Sequence, residues 1–153
     1  MKIEVSNGEI IDKLTIVRIK LERIKDSAKV ANIRKEYEPV PLVLCHPGQL
    51  NQVFLNLLVN AGQSIVPPGE VVLSCWQDGT FVYASVSDTG SGIPEEIRNR
   101  IFEPFFTTKD VGKGTGLGLS LSYEIIKRHQ GELLVDSTMG VGTTFTVKLP
   151  YPS

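Results

Sequence analysis

Three groups of side chains have the types and spacing to do chemistry. The first is Asn56 and Asn60. Four residues carry a helix about 40° past a full turn, so two amides at that spacing project side by side. Such a pair can be a satisfied polar seam beside a core. It can equally offer a carbonyl-type oxygen to Mg2+ with a second polar group next to it. The second group is the run Asp88-Thr-Gly-Ser-Gly-Ile-Pro. A carboxylate at a strand end, followed by two glycines, lets a planar ligand lie close to backbone and can accept from an exocyclic amine. The same run can also be a strand-ending turn with an Asx-type Asp. The third is KDVGKGTGLGL, from Lys109 to Leu119, with glycines at 112, 114, 116 and 118 ahead of a helix. Backbone N–H groups of such a loop can wrap phosphates and deliver them to a helix N-terminus; a merely flexible loop is the alternative. Counting excludes two better-known phosphate loops. A Walker A loop needs Lys followed by Ser or Thr, but Lys113 is followed by Gly114. A dinucleotide fingerprint needs a third glycine where Leu119 or Leu121 stands.

Elements must hold these groups in place. Lys2–Val5 predicts a short strand, then a helix capped by Ser6 or Asn7, with Glu9 at capping-box spacing from Ser6. Ile10, Leu14, Val17, Leu21 and Ile24 give that helix one apolar face, over too short a run for a coiled coil. Lys29–Tyr37 alternates as a strand, and a brief apolar run, Leu42–Cys45, follows among prolines. The longest helix is expected over Gln49–Val66, behind Pro47 and stopped by Pro67-Pro68-Gly69; Leu50, Val53, Phe54, Leu57, Leu58, Ala61 and Ile65 share its face. Val71–Gln77 and Phe81–Asp88 form a hairpin through Asp78-Gly79. Pro94 opens a short helix with Glu95 and Glu96 in its first turn. A further helix runs from the glycine loop to His129 and stops at Gly131. Leu133–Asp136 and Thr143–Leu149 make a last hairpin. The order β-α-β-α-β-β-α-α-β-β predicts an α+β fold: a two-layer α/β sandwich whose mixed, mostly antiparallel sheet carries helices on one face.

Composition narrows the function classes. At 153 residues, 41% apolar and 22% charged, the chain has the size of one globular domain with a real core. A net charge of −1 gives no general electrostatic reason to hold nucleic acid or an anionic membrane. The two cysteines, Cys45 and Cys75, both sit in apolar runs, where they read as small buried hydrophobes; no disulfide framework or CxxC metal pair is possible. No apolar stretch approaches the roughly 18 residues that span a bilayer, and the N-terminus lacks a signal peptide's apolar core. A soluble, cytoplasmic chain is expected.

Taken together and in order, Asn56-x-x-x-Asn60, Asp88-x-Gly90-x-Gly92, the run from Phe102 to Lys109 and Gly114-Thr-Gly-Leu-Gly-Leu119 resemble the N, G1, F and G2 boxes of the ATP-binding catalytic domain of sensor histidine kinases. The resemblance covers essentially the whole chain, 1–153, as a single catalytic domain. It implies the Bergerat fold and Mg-ATP bound between a helix layer and a lid. Asn60 would hold Mg2+, and Asn56 would assist at the phosphates or metal. Asp88 would accept from the adenine N6 amine, with Gly90, Gly92 and Ile93 allowing the base to approach. The segment from Lys109 to Lys113, with Thr107 before it and Gly112 within it, would form a short lid. Gly114, Thr115, Gly116, Leu117, Gly118 and Leu119 would wrap the phosphates, with Lys109 and Lys113 neutralising them. Phe102, Phe105 and Phe106 would close the lid through apolar contact, and Thr144 would sit under the adenine pocket. Two departures stand out. Members of the family often carry Asp where His46 stands, and a basic residue where Gln63 stands.

The resemblance further implies γ-phosphoryl transfer to a histidine on a separate dimerisation and phosphoacceptor hairpin of a parent kinase, which can be membrane-anchored, with a response regulator downstream. The chain's own two histidines, His46 and His129, lie outside the acceptor setting and read as structural. A stand-alone serine kinase of the anti-sigma-factor type, or a topoisomerase-like ATP hydrolase, would carry Glu where Asn56 stands. A nucleotide-sensing module of the same fold is the non-enzymatic alternative. ATP and ADP are the expected ligands, without nucleic acid or direct membrane contact.

Overall fold

Pro47 has the fixed φ that suits a first helical position, and it starts helix α1 (Pro47–Ser64) two residues ahead of the expected Gln49. His46 precedes it without a side-chain cap; its carbonyl instead accepts the N–H groups of Gln49 and Leu50. The helix ends at Ser64 rather than Val66, because Ile65 is already extended at φ −73°, ψ 132°. Its apolar stripe is buried as the periodicity requires: Leu50, Val53, Phe54 and Leu57 have no exposed surface. Side chains of that kind each contribute roughly 1.5–3 kcal/mol on burial.

The computed structural model describes residues 3–5, 30–109, 111 and 114–151. The helix expected over Ile10–Ile24, its Ser6 or Asn7 cap, Gly112 and Lys113 lie outside these. The remaining elements are β1 (Ile3–Val5), β2 (Val30–Tyr37), β3 (Val43–Cys45), β4 (Gly69–Asp78), β5 (Phe81–Asp88), α2 (Glu95–Arg98), α3 (Gly118–Arg128), β6 (Glu132–Thr138) and β7 (Gly142–Pro150). Five strands form one sheet in the order β2-β4-β5-β7-β6. Only β2 and β4 run parallel; the other neighbours are antiparallel. The short strands β1 and β3 pair separately, Ile3 opposite Cys45.

Alternation along the strands sets two faces. Val71, Leu73 and Cys75 of β4, Val82, Ala84 and Val86 of β5, and Phe145, Val147 and Leu149 of β7 are buried on one side. There α1 packs on β5, α3 packs on β6, and the two helices pack on each other. The opposite face carries Trp76 stacked on Tyr83, with ring centroids 5.3 Å apart, and Lys148 Nζ 4.3 Å over the Phe81 ring. The two-layer sandwich with a mixed, mostly antiparallel sheet is therefore the observed architecture. His129 ties the two main helices together. It is buried, its Nε2 accepts the His46 backbone N–H at 3.0 Å, and its Nδ1 lies 2.7 Å from the Ile125 carbonyl. With Nε2 accepting, the ring proton sits on Nδ1 and donates to that carbonyl. Both nitrogens are occupied, as a structural histidine requires.

Candidate functional site

Strand β5 ends by placing Asp88 on the helix-covered face, where its residue is 7% exposed. One carboxyl oxygen accepts the Gly90 N–H at 2.8 Å. Burial pushes the Asp88 carboxyl above its ordinary range, and hydrogen bonds from the Gly90 backbone, the Ser64 side chain and the Thr143 backbone pull against that rise. The loop that follows is threaded between the end of α1 and the β6–β7 turn. Ser91 N–H donates to Ser64 O at 3.1 Å, Gly140 N–H to Ser91 O at 2.8 Å, and Ile93 N–H to Ser137 Oγ at 2.7 Å. A Cβ on Gly90 would lie 2.4 Å from Ser64 Oγ. Gly92 has φ +78°, and a Cβ there would meet the Thr138 carbonyl at 2.3 Å. The glycine pair is thus required by the protein's own packing, besides whatever room it leaves for a ligand. Arg98 of α2 braces the loop by donating to Ser137 O at 2.7 Å and Ile93 O at 3.4 Å.

The expectation for Thr144 is corrected by register. Asp88 pairs with Thr143, and Ser87 with Thr144. Thr144 therefore lies on the opposite face of the sheet, its Oγ1 2.7 Å from Ser87 Oγ. The buried Thr143 stands at the Asp88 end, and its hydroxyl lies 2.8 Å from Ser137 Oγ. Because alternation has period two, an offset of one residue decides the face.

On α1, Asn56 and Asn60 project as the spacing requires, but toward different partners. Asn56 Nδ2 donates to Gly118 O at 3.1 Å and to Ser122 Oγ at 3.2 Å, while its Oδ1 accepts from Gln52 Nε2 at 2.9 Å. It latches the start of α3 to α1. Asn60 Oδ1 faces the Lys109 ammonium at 3.5 Å, and the same ammonium donates to Gln63 Oε1. Gln63 thus engages a cation from the segment between α2 and α3. The Lys109 side chain is exposed as a whole, but partial desolvation of its ammonium lowers the pKa from its ordinary value.

The segment between α2 and α3 divides at its phenylalanines. Phe102 packs against Tyr123 at 5.3 Å and Phe145 at 6.5 Å, and Phe106 lies under the Arg100 guanidinium at 4.7 Å. Phe105 departs from the expected apolar contact: it is 73% exposed and stands at φ +66°. A bulky residue in that region is an outlier. Its N–H donates to the Gly116 carbonyl at 2.8 Å, joining the segment to the glycine loop. Thr107 Oγ1 accepts the Lys109 N–H, and Thr115 Oγ1 accepts the Leu117 N–H. Leu119 packs against the core, while Leu117 stays exposed.

Asn60, Lys109 and Gln63 therefore gather at one end, and Asp88, Gly90, Gly92 and Ile93 at the other, with both ends resting on α1. Sequence reasoning missed Ser64, Thr143, Ser137 and Arg98. Of these only Thr143 had a signal, as the other threonine of a Thr-Thr pair.

Residues 45–153 match the family described as histidine kinase-, DNA gyrase B-, and HSP90-like ATPases. Sporulation kinase E of Bacillus subtilis (strain 168) is 38% identical over 139 residues, covering 88% of this chain and 19% of that protein. The catalytic domain of the histidine kinase ThkA has a TM-score of 0.83 at 29% identity, covering 98% of this chain and 95% of that one. Full-length ShkA in complex with AMPPNP has a TM-score of 0.84 at 27% identity, covering 99% of this chain and 31% of that one. Matching over more than half its length, the chain belongs to the family of histidine kinase-, DNA gyrase B- and HSP90-like ATPases.

Proposed function

We propose that this chain binds Mg-ATP between α1 and the segment joining α2 to α3. It then presents the γ-phosphate to a histidine on a separate helical hairpin. The observation that carries the reading is Asp88: a buried carboxyl at a strand end, beside a loop whose glycines allow close approach. An ionised carboxylate accepts and never donates, so it suits the adenine exocyclic amine and opposes the guanine carbonyl. The ThkA and sporulation-kinase likenesses and the nucleotide analogue in the ShkA structure support the same assignment.

The donor set fits Mg2+. Asn60 and Gln63 offer neutral amide oxygens that already face a cation. Mg2+ is commonly held by one or two protein oxygens, with waters and substrate phosphates completing an octahedron. When bound, the ion would neutralise charge on the phosphates. The chain's own work is positioning. Lys109, whose ammonium rests on Asn60 and Gln63, would neutralise the phosphates. The glycine loop would surround the phosphates with N–H groups, at the place where Asn56 fixes α3. In the transfer, an imidazole nitrogen attacks the γ-phosphorus, the bond to the bridging oxygen breaks, and ADP leaves. A neutral ring nitrogen needs no base, and Asn56, whose amide is occupied by Gly118, Ser122 and Gln52, supplies none. Phosphoryl transfer depends mainly on such positioning and charge neutralisation.

Calorimetry tests the assignment. Mg-ATP should bind the wild-type chain, and Asn60→Ala should lose most of that affinity. Unchanged affinity in Asn60→Ala would remove the metal role, and absence of ATP binding to wild type would overturn the reading. With γ-labelled ATP and an added acceptor hairpin, label should appear on the hairpin and not on His46 or His129.

A further inference from the structure

One hydroxyl sits at the seam between the Asp88 loop and the β6–β7 hairpin. Ser137 Oγ lies 2.7 Å from Ile93 N, 3.1 Å from the Gly142 carbonyl oxygen and 2.8 Å from Thr143 Oγ1. A serine hydroxyl has one proton and two lone pairs. The Ile93 N–H can only donate, so it takes one lone pair. The Gly142 carbonyl can only accept, so it takes the proton. Thr143, opposite Ser137 in the ladder, is left to donate into the second lone pair. The Ser137 hydroxyl is then fully used, and both side chains are buried.

Its partners lie at both margins of the Asp88 loop. Ile93 is the far margin, directly after Gly92, which stands at φ +78° against the Thr138 carbonyl. Gly142 is the near margin: a Cβ there would overlap the Asp88 carbonyl, so the two backbones are in contact. Arg98 closes the arrangement from α2 by donating to the carbonyls of Ser137 and Ile93. We propose that Ser137 is a positioning residue for base recognition, its hydroxyl fixing the spacing between Asp88 and Ile93 across which the base would lie. This rests on the assignment of Asp88 as the reader of adenine. Ser137 acts through Ile93 and Gly142 and need touch no ligand itself. Its removal takes the partner from an N–H, a carbonyl and a hydroxyl at once. Correct spacing serves only the base whose amine meets the carboxylate. A guanine carbonyl gains nothing from it, so the loss falls on ATP.

Displacement of a fluorescent ATP analogue by ATP and by GTP tests the inference, read as the ratio of the two affinities. The proteins compared are wild type, Ser137→Ala, Thr143→Val, Thr143→Ser and Asp88→Asn. The wild type should prefer ATP. Ser137→Ala should lower the ratio roughly three- to ten-fold, the size of one lost hydrogen bond, through weaker ATP binding with GTP binding little changed. Thr143→Val, nearly the same shape without the hydroxyl, should lower it by less. Thr143→Ser, which keeps the hydroxyl, should match the wild type. A serine that only stabilises the fold would weaken both nucleotides in proportion and leave the ratio as it is. An unchanged ratio in Ser137→Ala, with a lowered one in Asp88→Asn, therefore overturns the inference while the Asp88 assignment stands. Should Ser137→Ala fail to fold, Thr143→Val decides by the same ratio. A wild type without preference for ATP, or an Asp88→Asn variant that keeps the preference, would overturn the Asp88 assignment and the inference with it.

Discussion

At one end of the site Asp88 is 7% exposed and accepts the Gly90 N–H, on a loop pinned to α1, β6 and the β6–β7 turn. At the other end Lys109 is exposed and meets Asn60 and Gln63 through side chains alone. The first region is set by backbone register and is already in place before any ligand arrives, so little ordering remains to oppose binding there. The second satisfies itself. Its cation rests on the amides that a metal would use, and a ligand must exchange those contacts rather than occupy prepared ones. On the proposed reading, selectivity would belong to the preformed end and the conformational response to the end built from side chains.

The largest expected effect breaks the preformed end. Asp88→Asn gives the base pocket a donor as well as an acceptor, and the preference for ATP over GTP should collapse from on the order of 10²-fold toward parity. The same variant should melt at a higher temperature without nucleotide at neutral pH. Burial raises the folded pKa above the unfolded one, so the ionised form is less favoured in the folded chain. The stability tied to the protonated form is fully present below the unfolded pKa and is lost as pH rises through the folded pKa. An uncharged Asn escapes that loss. A lower melting temperature for Asp88→Asn would reverse the expected sign and show that the carboxylate stabilises the fold.

Glycine substitutions sharpen the contrast. Gly92→Ala forces a side chain into φ +78° and against the Thr138 carbonyl, so chemical denaturation should show a loss of about 1–3 kcal/mol. Gly114 has no such φ, and a Cβ there would meet the flexible Lys109 side chain at 2.8 Å and Thr107 Oγ1 at 3.1 Å. Gly114→Ala should change stability by less than about 1 kcal/mol. Equal losses at the two positions would erase the distinction between a rigid and an adaptable end. Asn56 lies between them in effect. Asn56→Ala removes a donor from Gly118 O, which keeps its bond from Ser122 Oγ at 2.8 Å, so a loss near 1 kcal/mol is expected. Asn56→Asp sets a carboxylate against that carbonyl and should lose more.

The same division governs how far the sequence can be read. The apolar period places the stripe of α1 correctly, and alternation gives β4, β5 and β7. The Asp88 loop is legible because one carboxylate and two glycines are adjacent in the chain. What fails is what depends on register or on long-range packing. Thr143 and Thr144 are indistinguishable until the Ser87–Thr144 pair fixes the face. Ser64 lies 24 positions before Asp88 and looks like any polar helix end, and its carbonyl meets the Ser91 N–H only because α1 stops beside the loop after β5. Gln63, which reads as a lost basic contact, instead receives Lys109. Asn56 reads either as part of a polar seam or as a phosphate or metal group, because spacing gives direction but not partner; in this structure its amide holds the start of α3.

The smallest expected effect lies at Lys109, and its dependence on salt says more than its size. Among the described residues the ammonium rests on two neutral amides and no carboxylate, so at an exposed site the change in stability in Lys109→Ala should stay under about 1 kcal/mol. Binding is different, because two consequences oppose each other. Removing the ammonium frees Asn60 Oδ1 for a metal, which favours Mg-ATP, and deletes a positive charge from the phosphate end, which disfavours it. Only the second is a charge–charge interaction at an exposed position, and only it is screened as the Debye length shrinks from about 10 Å at 0.1 M salt to about 3 Å at 1 M. Lys109→Ala should therefore bind Mg-ATP several-fold more weakly than wild type at low salt, and the gap should close as salt is raised. Isothermal titrations of both proteins across that range separate the two roles. A gap that stays constant with salt would mean that Lys109 acts through its contacts with Asn60 and Gln63, and that this end of the site is as preformed as the other.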